Sequence, residues 1–477
     1  GYFMQFREGH TFFDRWYAHS ENPTRPTVKI SVEQARLFTR QIEAALEKRG
    51  MLYHAVGHGW TCEAFGVPGL GWDPVIQDWP GEVANSLALV NGRRMMWNDI
   101  PLITSLCFSN ANVRQKVIDC IVDYVQSHRN IQALHFWLDD GFNNKCECAE
   151  CQKMRPSDYY VILLNELDDT LTQLGYPGKI VFLSYADLLW PPEHRRIQNP
   201  DRFIMMFAPI TRSYRRPLFP KDLEYKLPPF VRNRLIFSNN NDEQLAFLRS
   251  WQALFPGDSF IYDYHLWRPG TYTCDPDALF LARLLSSDIK NLKQLGLNGM
   301  VSCQLQRIFF PTGLAMYVMG RTLWNADLEF DALLDEYFSA SFGPEWQLCK
   351  FYLQSLSALQ DVVPILEKDL VQHPQAETQL EQGLAVIQQF LPVIERNLKL
   401  PEHSQALSWF YLRVHAELMQ QFLCMLSARA AGKKEEAARR WNEIKTFVRE
   451  KEDEIQPVFD VYAFISTFER AFREEAG

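Results

Sequence analysis

FWLDDGFNNKCECAEC, Phe136–Cys151, hands the end of a hydrophobic run to two adjacent aspartates and then to three closely spaced cysteines. The run begins at Ala133 and is predicted to be a strand over Ala133–Leu138. Neighbouring residues on a strand point to opposite faces, so Asp139 and Asp140 reach one site only if the chain turns after Leu138. Gly141 and the Asn143–Asn144 pair are the residues such a turn uses. The unit therefore reads as a strand that delivers polar side chains at its carboxyl end.

Working outward, the same unit recurs. Short β-branched or aromatic runs are predicted as strands at Tyr2–Phe6, Leu52–Val56, Ile180–Ser184, Phe203–Phe207, Phe260–Tyr264 and Met300–Cys303. Amphipathic stretches between them are predicted as helices at Ser31–Arg49, Asn110–His128, Ser157–Leu174, Asp242–Phe255 and Pro276–Leu295. Ser31 and Ser157 are expected as N-caps, with Gln34 completing a capping box. Gly50, Gly175 and Gly296 stand where a helix-ending glycine belongs. Alternating β and α elements imply a parallel sheet.

Seven strands with polar or aromatic bursts after nearly every one favour an α/β fold of the (β/α)8 barrel type, with a first strand upstream of this chain. In that fold the carboxyl ends of the strands form the functional face. An open doubly wound sheet is the rival, but no glycine-rich phosphate loop follows an early strand. From about Asn325 the strand signal stops. Long amphipathic helices are predicted at Asp331–Phe342, Trp346–Glu367, Ala376–Leu398, Ser404–Ala431 and Lys433–Asp453. The expected division is a barrel over 1–325 and an all-α helical domain over 326–477. Residues 57–105, rich in Gly, Trp and Pro, read as a long insertion of the kind that walls a site.

Composition narrows the function classes. The chain has 477 residues, a formal net charge of −9 and 47% apolar residues. With no long basic run, nucleic acid and anionic membranes are poor partners. No apolar run approaches the roughly 18 residues of a membrane helix. Of the ten cysteines, those outside 146–151 are scattered through apolar segments, which favours buried thiols in a reducing, cytoplasmic compartment. GYFMQF shows no charged leader and starts inside a strand. A secreted or periplasmic location follows instead if a signal precedes it. The apolar faces of the late helices would also suit a homodimer.

At the predicted functional face, Asp139 and Asp140 suit the acid chemistry of glycoside hydrolysis, and Glu63 is a further acid on that face. Turn-capping by the two aspartates is the alternative reading. Trp60, Trp72, Trp137, Tyr185, Trp190, Tyr264 and Trp267 lie near strand ends, where sugar rings stack on aromatic faces. Arg7, His58, Asn143, Arg212, Asp263 and Gln304 would supply polar contacts to a glycan. Cys146, Cys148 and Cys151 offer three thiolates for a structural zinc, with Cys62 or a nearby histidine as fourth ligand; free thiols are the competing reading. Catalysis itself calls for no cofactor.

GHGWTCEAFG (57–66), WLDDGFNNKCECAEC (137–151) and LLSSDIKNLKQLGLNGMVSCQLQ (284–306) resemble the bacterial proteins grouped as domain of unknown function 4838. That group overlaps glycoside hydrolase family 163. The resemblance spans roughly residues 1–345. It implies a glycoside hydrolase of the endo-β-N-acetylglucosaminidase type, retaining, with the substrate's 2-acetamido oxygen as nucleophile. On that implication Asp140 is the acid/base, Asp139 orients the acetamido group, and Glu63 is the alternative acid. An exo-hexosaminidase, a uronidase using Arg7 or Arg212, and a non-catalytic carbohydrate-binding barrel remain open.

Overall fold

The computed structural model describes residues 2–5, 30–67, 69, 71–128, 130–220, 226–267, 279–305, 307–359 and 374–473. Seven strands form one sheet: β1 (Tyr2–Gln5), β2 (Tyr53–Val56), β5 (Ala133–Phe136), β6 (Lys179–Ser184), β7 (Phe203–Phe207), β8 (Asp258–Leu266) and β9 (Met300–Gln304). They neighbour one another in chain order, and every ladder is parallel. A two-stranded antiparallel ribbon, β3 (Leu89–Val90) with β4 (Arg93–Arg94), stands apart in the 57–105 insertion. The seven expected strands are thus all present. Among the described residues the sheet has these seven strands and no ladder joins β1 to β9, which is the opening an eighth strand upstream of this chain was expected to fill.

The pleat sorts the sheet into two faces. Leu134, Phe136, Ile180, Phe182, Phe203, Met205 and Phe207 pack outward into the large core shared with the helices. The alternating residues Val56, Ala133, Val181, Leu183 and Met206 gather with Trp137 and Tyr264 in a smaller cluster on the other face. All four residues of β5 are buried, as expected of a strand covered on both sides. His54 and His135 lie on the smaller face, with His54 Nδ1 3.0 Å from His135 Nε2. Burial lowers His54 to about 4 and pushes the fully enclosed His135 well below its ordinary value.

Helices flank the strands. Helix Val32–Lys48 starts at Ser31, whose hydroxyl accepts from Gln34 N while Gln34 accepts from Ser31 N. Gly50, at φ +59°, lets the chain leave that helix in a conformation costly to other residues. The helix expected to be capped by Ser157 instead spans Pro156–Gln173 with Arg155 at its N-cap. Proline suits the first helical position, where no N–H is needed, and the buried Asp158 accepts from Arg155 N at 3.2 Å.

After β9 the described chain is helical. Helices Leu314–Trp324, Phe330–Phe342, Trp346–Leu356, Pro374–Asn397, His403–Ala430, Lys434–Glu450 and Val461–Arg473 follow. The first and last of these were not expected. The part of Trp346–Glu367 beyond Leu359 lies outside the described residues until Pro374. A second core runs from Leu266 and helix Leu279–Asn291 through these helices to Phe468, so apolar packing is continuous across residue 325. Arg307 reinforces the junction. Its guanidinium lies 3.4 Å from Glu452 and 3.2 Å from Asp460, all three buried. Among the described residues no helix is long and apolar enough to cross a membrane.

Candidate active site

The chain does turn after β5, and the turn separates the two aspartates. Asp139 points inward. Its side chain is fully enclosed and Oδ2 accepts from Lys145 Nζ at 2.6 Å. Lys145 also donates to Gly141 O at 3.1 Å, so the lysine folds back over its own turn. Gly141 is required there, because a Cβ would sit 2.3 Å from Ile103 O. A third acid, Asp187, is buried beside this pair. Burial raises its carboxyl, Lys145 opposes that, and it accepts from Asn143 N at 3.1 Å. A small pocket behind the turn is lined by Asp139, Lys145, Asp187, Tyr185 and Cys146, among others.

Asp140 points the other way and keeps 22% of its side-chain surface. Its N–H donates to Leu102 O at 2.8 Å, which fixes the turn against the insertion. Trp72 Nε1, also from the insertion, donates to Asp140 Oδ2 at 2.8 Å. His58 Nε2 stands 3.5 Å from Asp140 Oδ1. His58 Nδ1 lies 2.7 Å from Leu138 O, a carbonyl that can only accept, so Nδ1 carries a hydrogen. In the neutral ring Nε2 is then an acceptor facing a carboxylate oxygen. The contact is favourable when one proton is shared between imidazole and carboxyl, and unfavourable when neither carries one.

Aromatic side chains border this acid. Burial, followed by the neighbouring Asp140 carboxylate, pushes the Tyr185 phenol well above its ordinary value, so it stays a neutral donor. Burial and Tyr185 do the same to Tyr264. Tyr264 makes an edge contact to Trp267 at 5.9 Å, and Trp267 is exposed. Trp137 is buried and meets His58 edge-on at 5.1 Å.

Several expected contacts are corrected. Trp60 has no exposed surface and donates to His135 O at 2.9 Å, so it is a core residue, as is Trp190, which donates to Pro228 O. Asn143 bridges two loop segments through Leu235, donating to its carbonyl and accepting from its N–H. Arg212 and Asp263 belong to a closed network. Arg212 Nη1 donates to Asp263 Oδ2 at 2.8 Å and Nη2 to Asp288 Oδ2 at 2.6 Å. Tyr214 donates to Asp263 Oδ1, and His265 Nε2 lies 2.7 Å from Asp288. Burial alone would raise Asp263, yet Arg212, His265 and Tyr214 hold it below its usual range. With Arg212 enclosed by two aspartates, it cannot receive a substrate carboxylate. Glu63 ends the one-turn helix Trp60–Glu63 and is half-buried, and Gln304 is half-buried on β9. Arg7 lies outside the described residues.

Among the described residues, two groups have the composition of cation sites. Asp263, His265 and Asp288 surround the Arg212 guanidinium, which supplies their positive charge. Cys146, Cys148 and Cys151 are joined by Cys107, not by Cys62 or a histidine. Sequence reasoning missed Cys107, Lys145 and Asp187. SYAD, after β6, was the one trace of Asp187.

Comparison with curated proteins gives no match. Among solved structures, a GH138 enzyme targeting pectin rhamnogalacturonan II is similar at TM-score 0.44 and 9% identity. The comparison covers 95% of this chain and 55% of that one, so the chain spans about half that enzyme's length. An O-GlcNAc hydrolase mutant of Thermobaculum terrenum is similar at TM-score 0.40 and 11% identity, over 99% and 93% of the two chains. Likeness this distant supports no transfer of activity. The family profile described as "Domain of unknown function (DUF4838)" matches residues 76–347. That is more than half of the chain and includes the Asp139–Asp140 turn, its lysine and all four clustered cysteines, and the chain therefore belongs to the DUF4838 family.

Proposed function

We propose that the protein is a glycoside hydrolase in which Asp140 is the acid/base. The observation that carries this reading is the Asp140–His58 contact: a partly exposed carboxyl at a strand's carboxyl end, with an imidazole nitrogen 3.5 Å away. General acid catalysis needs a carboxyl that can hold and release one proton against a leaving oxygen. Trp72 and the Leu102 carbonyl fix the position of Asp140. Trp72 and Trp267 offer exposed aromatic faces nearby on which a sugar can stack.

The placement of Asp139 bears on the mechanism. An ordinary retaining or inverting glycosidase needs two carboxyls flanking the scissile bond. Here the adjacent carboxyl is turned away and bound by Lys145. An open acid whose neighbouring carboxyl is engaged by a lysine suits a substrate that brings its own nucleophile, the oxygen of a 2-acetamido group. We therefore assign 2-acetamido glycans of the N-acetylglucosamine type as the substrate class. Asp140 protonates the departing oxygen and later takes a proton from water. Asp139 supports the turn and does not orient the acetamido group; the neutral Tyr185 hydroxyl is the better placed donor.

Aryl 2-acetamido-β-glucosides, aryl β-glucosides, aryl β-glucuronides and a biantennary glycopeptide form the discriminating panel. Cleavage of the 2-acetamido compounds or the glycopeptide, and not of the glucosides, is the expected result. Turnover of aryl glucosides at a comparable rate would remove the substrate-assisted reading. No turnover of any member would remove the proposed function.

A further inference from the structure

We propose that Cys107, Cys146, Cys148 and Cys151 bind one zinc ion as a tetrathiolate, and that this ion clamps the 57–105 insertion to the Asp139–Asp140 turn. The geometry is the starting point. Four sulfurs in a regular tetrahedron about zinc, each at about 2.3 Å, lie about 3.8 Å apart. Cys107 Sγ is 3.7 Å from Cys148 Sγ and 3.9 Å from Cys151 Sγ, and all four sulfurs lie within 4.8 Å of one another. A disulfide would need sulfurs about 2.05 Å apart, and all four thiols are free. Two pairs of packed thiols would have no reason to form a single four-membered group.

The surroundings point the same way. Backbone N–H groups aim at the sulfurs: Leu89 N lies 3.3 Å from Cys146 Sγ and Cys151 N lies 3.4 Å from Cys148 Sγ. Ser109 Oγ stands 3.1 Å from Cys151 Sγ and 3.5 Å from Cys148 Sγ. Arg94 Nη2 is 3.8 Å from Cys107 Sγ. The two backbone N–H donors and the Arg94 cation converging on sulfur are what a thiolate site with net negative charge requires around it. Arg232 braces the ligand loop by donating to the carbonyls of Cys146, Cys151 and Met154.

The consequence follows from where the ligands lie. Cys107 immediately follows the insertion, whereas the other three follow the turn that carries Asp139 and Asp140. Glu147 N donates to Leu89 O at 2.7 Å, and Asp140 N donates to Leu102 O at 2.8 Å, so the two segments also share backbone hydrogen bonds. Metal at the four sulfurs would lock that contact and, through it, the placing of Trp72 beside Asp140. The zinc assignment is independent of the glycosidase reading and is tested without any substrate.

The test is metal analysis of the full chain purified under reducing conditions. The expected content is one zinc per chain, falling well below half of that in Cys107→Ser and remaining at one in Cys62→Ser. Cobalt exchanged into the wild type should show thiolate charge-transfer and tetrahedral bands. Should Cys107→Ser fail to fold, X-ray absorption of the wild-type metal should still give four sulfur neighbours at about 2.3 Å. Full-length protein that folds with no stoichiometric metal would overturn the proposal. So would iron in place of zinc, a nitrogen- or oxygen-containing ligand shell, or a Cys107→Ser variant that retains all its zinc.

Discussion

The turn after β5 and the end of β8 both place carboxylates at the carboxyl edge of the same sheet, yet only the first leaves one in reach of solvent. Beside β8, Asp263 and Asp288 share Arg212, His265 and the Tyr214 hydroxyl, and every member is enclosed or nearly so. After β5, Asp139 and Asp187 share Lys145 as their buried cation, and Asp140 is directed outward to His58 and Trp72. Residue type is alike in the two places, although Asp263 lies within β8 and Asp288 on helix Leu279–Asn291. What separates a structural network from a candidate catalytic acid is whether the fold seals the carboxylate from solvent: Asp139 and Asp187 are buried although Oδ1 of each lacks a hydrogen-bond partner, whereas Asp140 keeps 22% of its side-chain surface.

The largest test of this contrast removes the cation from the closed network. Arg212→Met leaves two aspartates facing each other in a dry interior. Breaking a buried ion pair from one side costs about 3–5 kcal/mol, and urea denaturation should show a loss of that size. A loss below about 1 kcal/mol would mean that the network is not what holds β8 to helix Leu279–Asn291. Lys145→Met should fall at the lower end of the same range, about 3 kcal/mol, because Asp187 already has its carboxyl raised by burial and a pocket adjoins the pair.

A smaller effect should appear with pH. His54 has its folded value lowered to about 4 by burial, against about 6.5 in the unfolded chain. Between those values the unfolded chain binds the proton and the folded chain does not. The contribution is therefore present above about pH 6.5 and is lost as the pH falls toward 4, by about 2 kcal/mol after allowance for partial exposure. His135, which burial also lowers well below its ordinary value, adds to the same loss. Unfolding free energies from pH 7 to pH 4 should show the decline, and His54→Gln should flatten it. An unchanged slope in that variant would assign the pH dependence elsewhere.

Much of the fold was legible because the strands are short apolar runs bounded by turn residues, and a parallel sheet covered on both faces makes such runs conspicuous. Ser31 and the three helix-ending glycines were legible for the same local reason. The candidate site was less so. Nothing in the string LDDG tells which aspartate turns inward; that is decided by Lys145, six residues later, folding back over the turn. Cys107 sits in an apolar stretch, 41 residues before Cys148, and looks like any packed thiol until the insertion folds against the loop. Arg212 looked available because its partner Asp288 lies 76 residues away on a helix. Trp60 and Trp190 looked like sugar platforms because a strand-end position says nothing about which way a ring faces.

The measurement that bears most directly on the central claim compares the two neighbouring aspartates, each changed to asparagine, in turnover and in stability. For a general acid, Asp140→Asn should lower kcat on a cleaved 2-acetamido glycan by about 100-fold or more. Its unfolding free energy should stay within about 1 kcal/mol of wild type, because the partly exposed side chain has no buried cation to strand and an amide oxygen can still accept from Trp72. Asp139→Asn should do the reverse in emphasis, losing about 3 kcal/mol of stability through Lys145. Near-full turnover by Asp140→Asn, in a folded protein, would contradict the account.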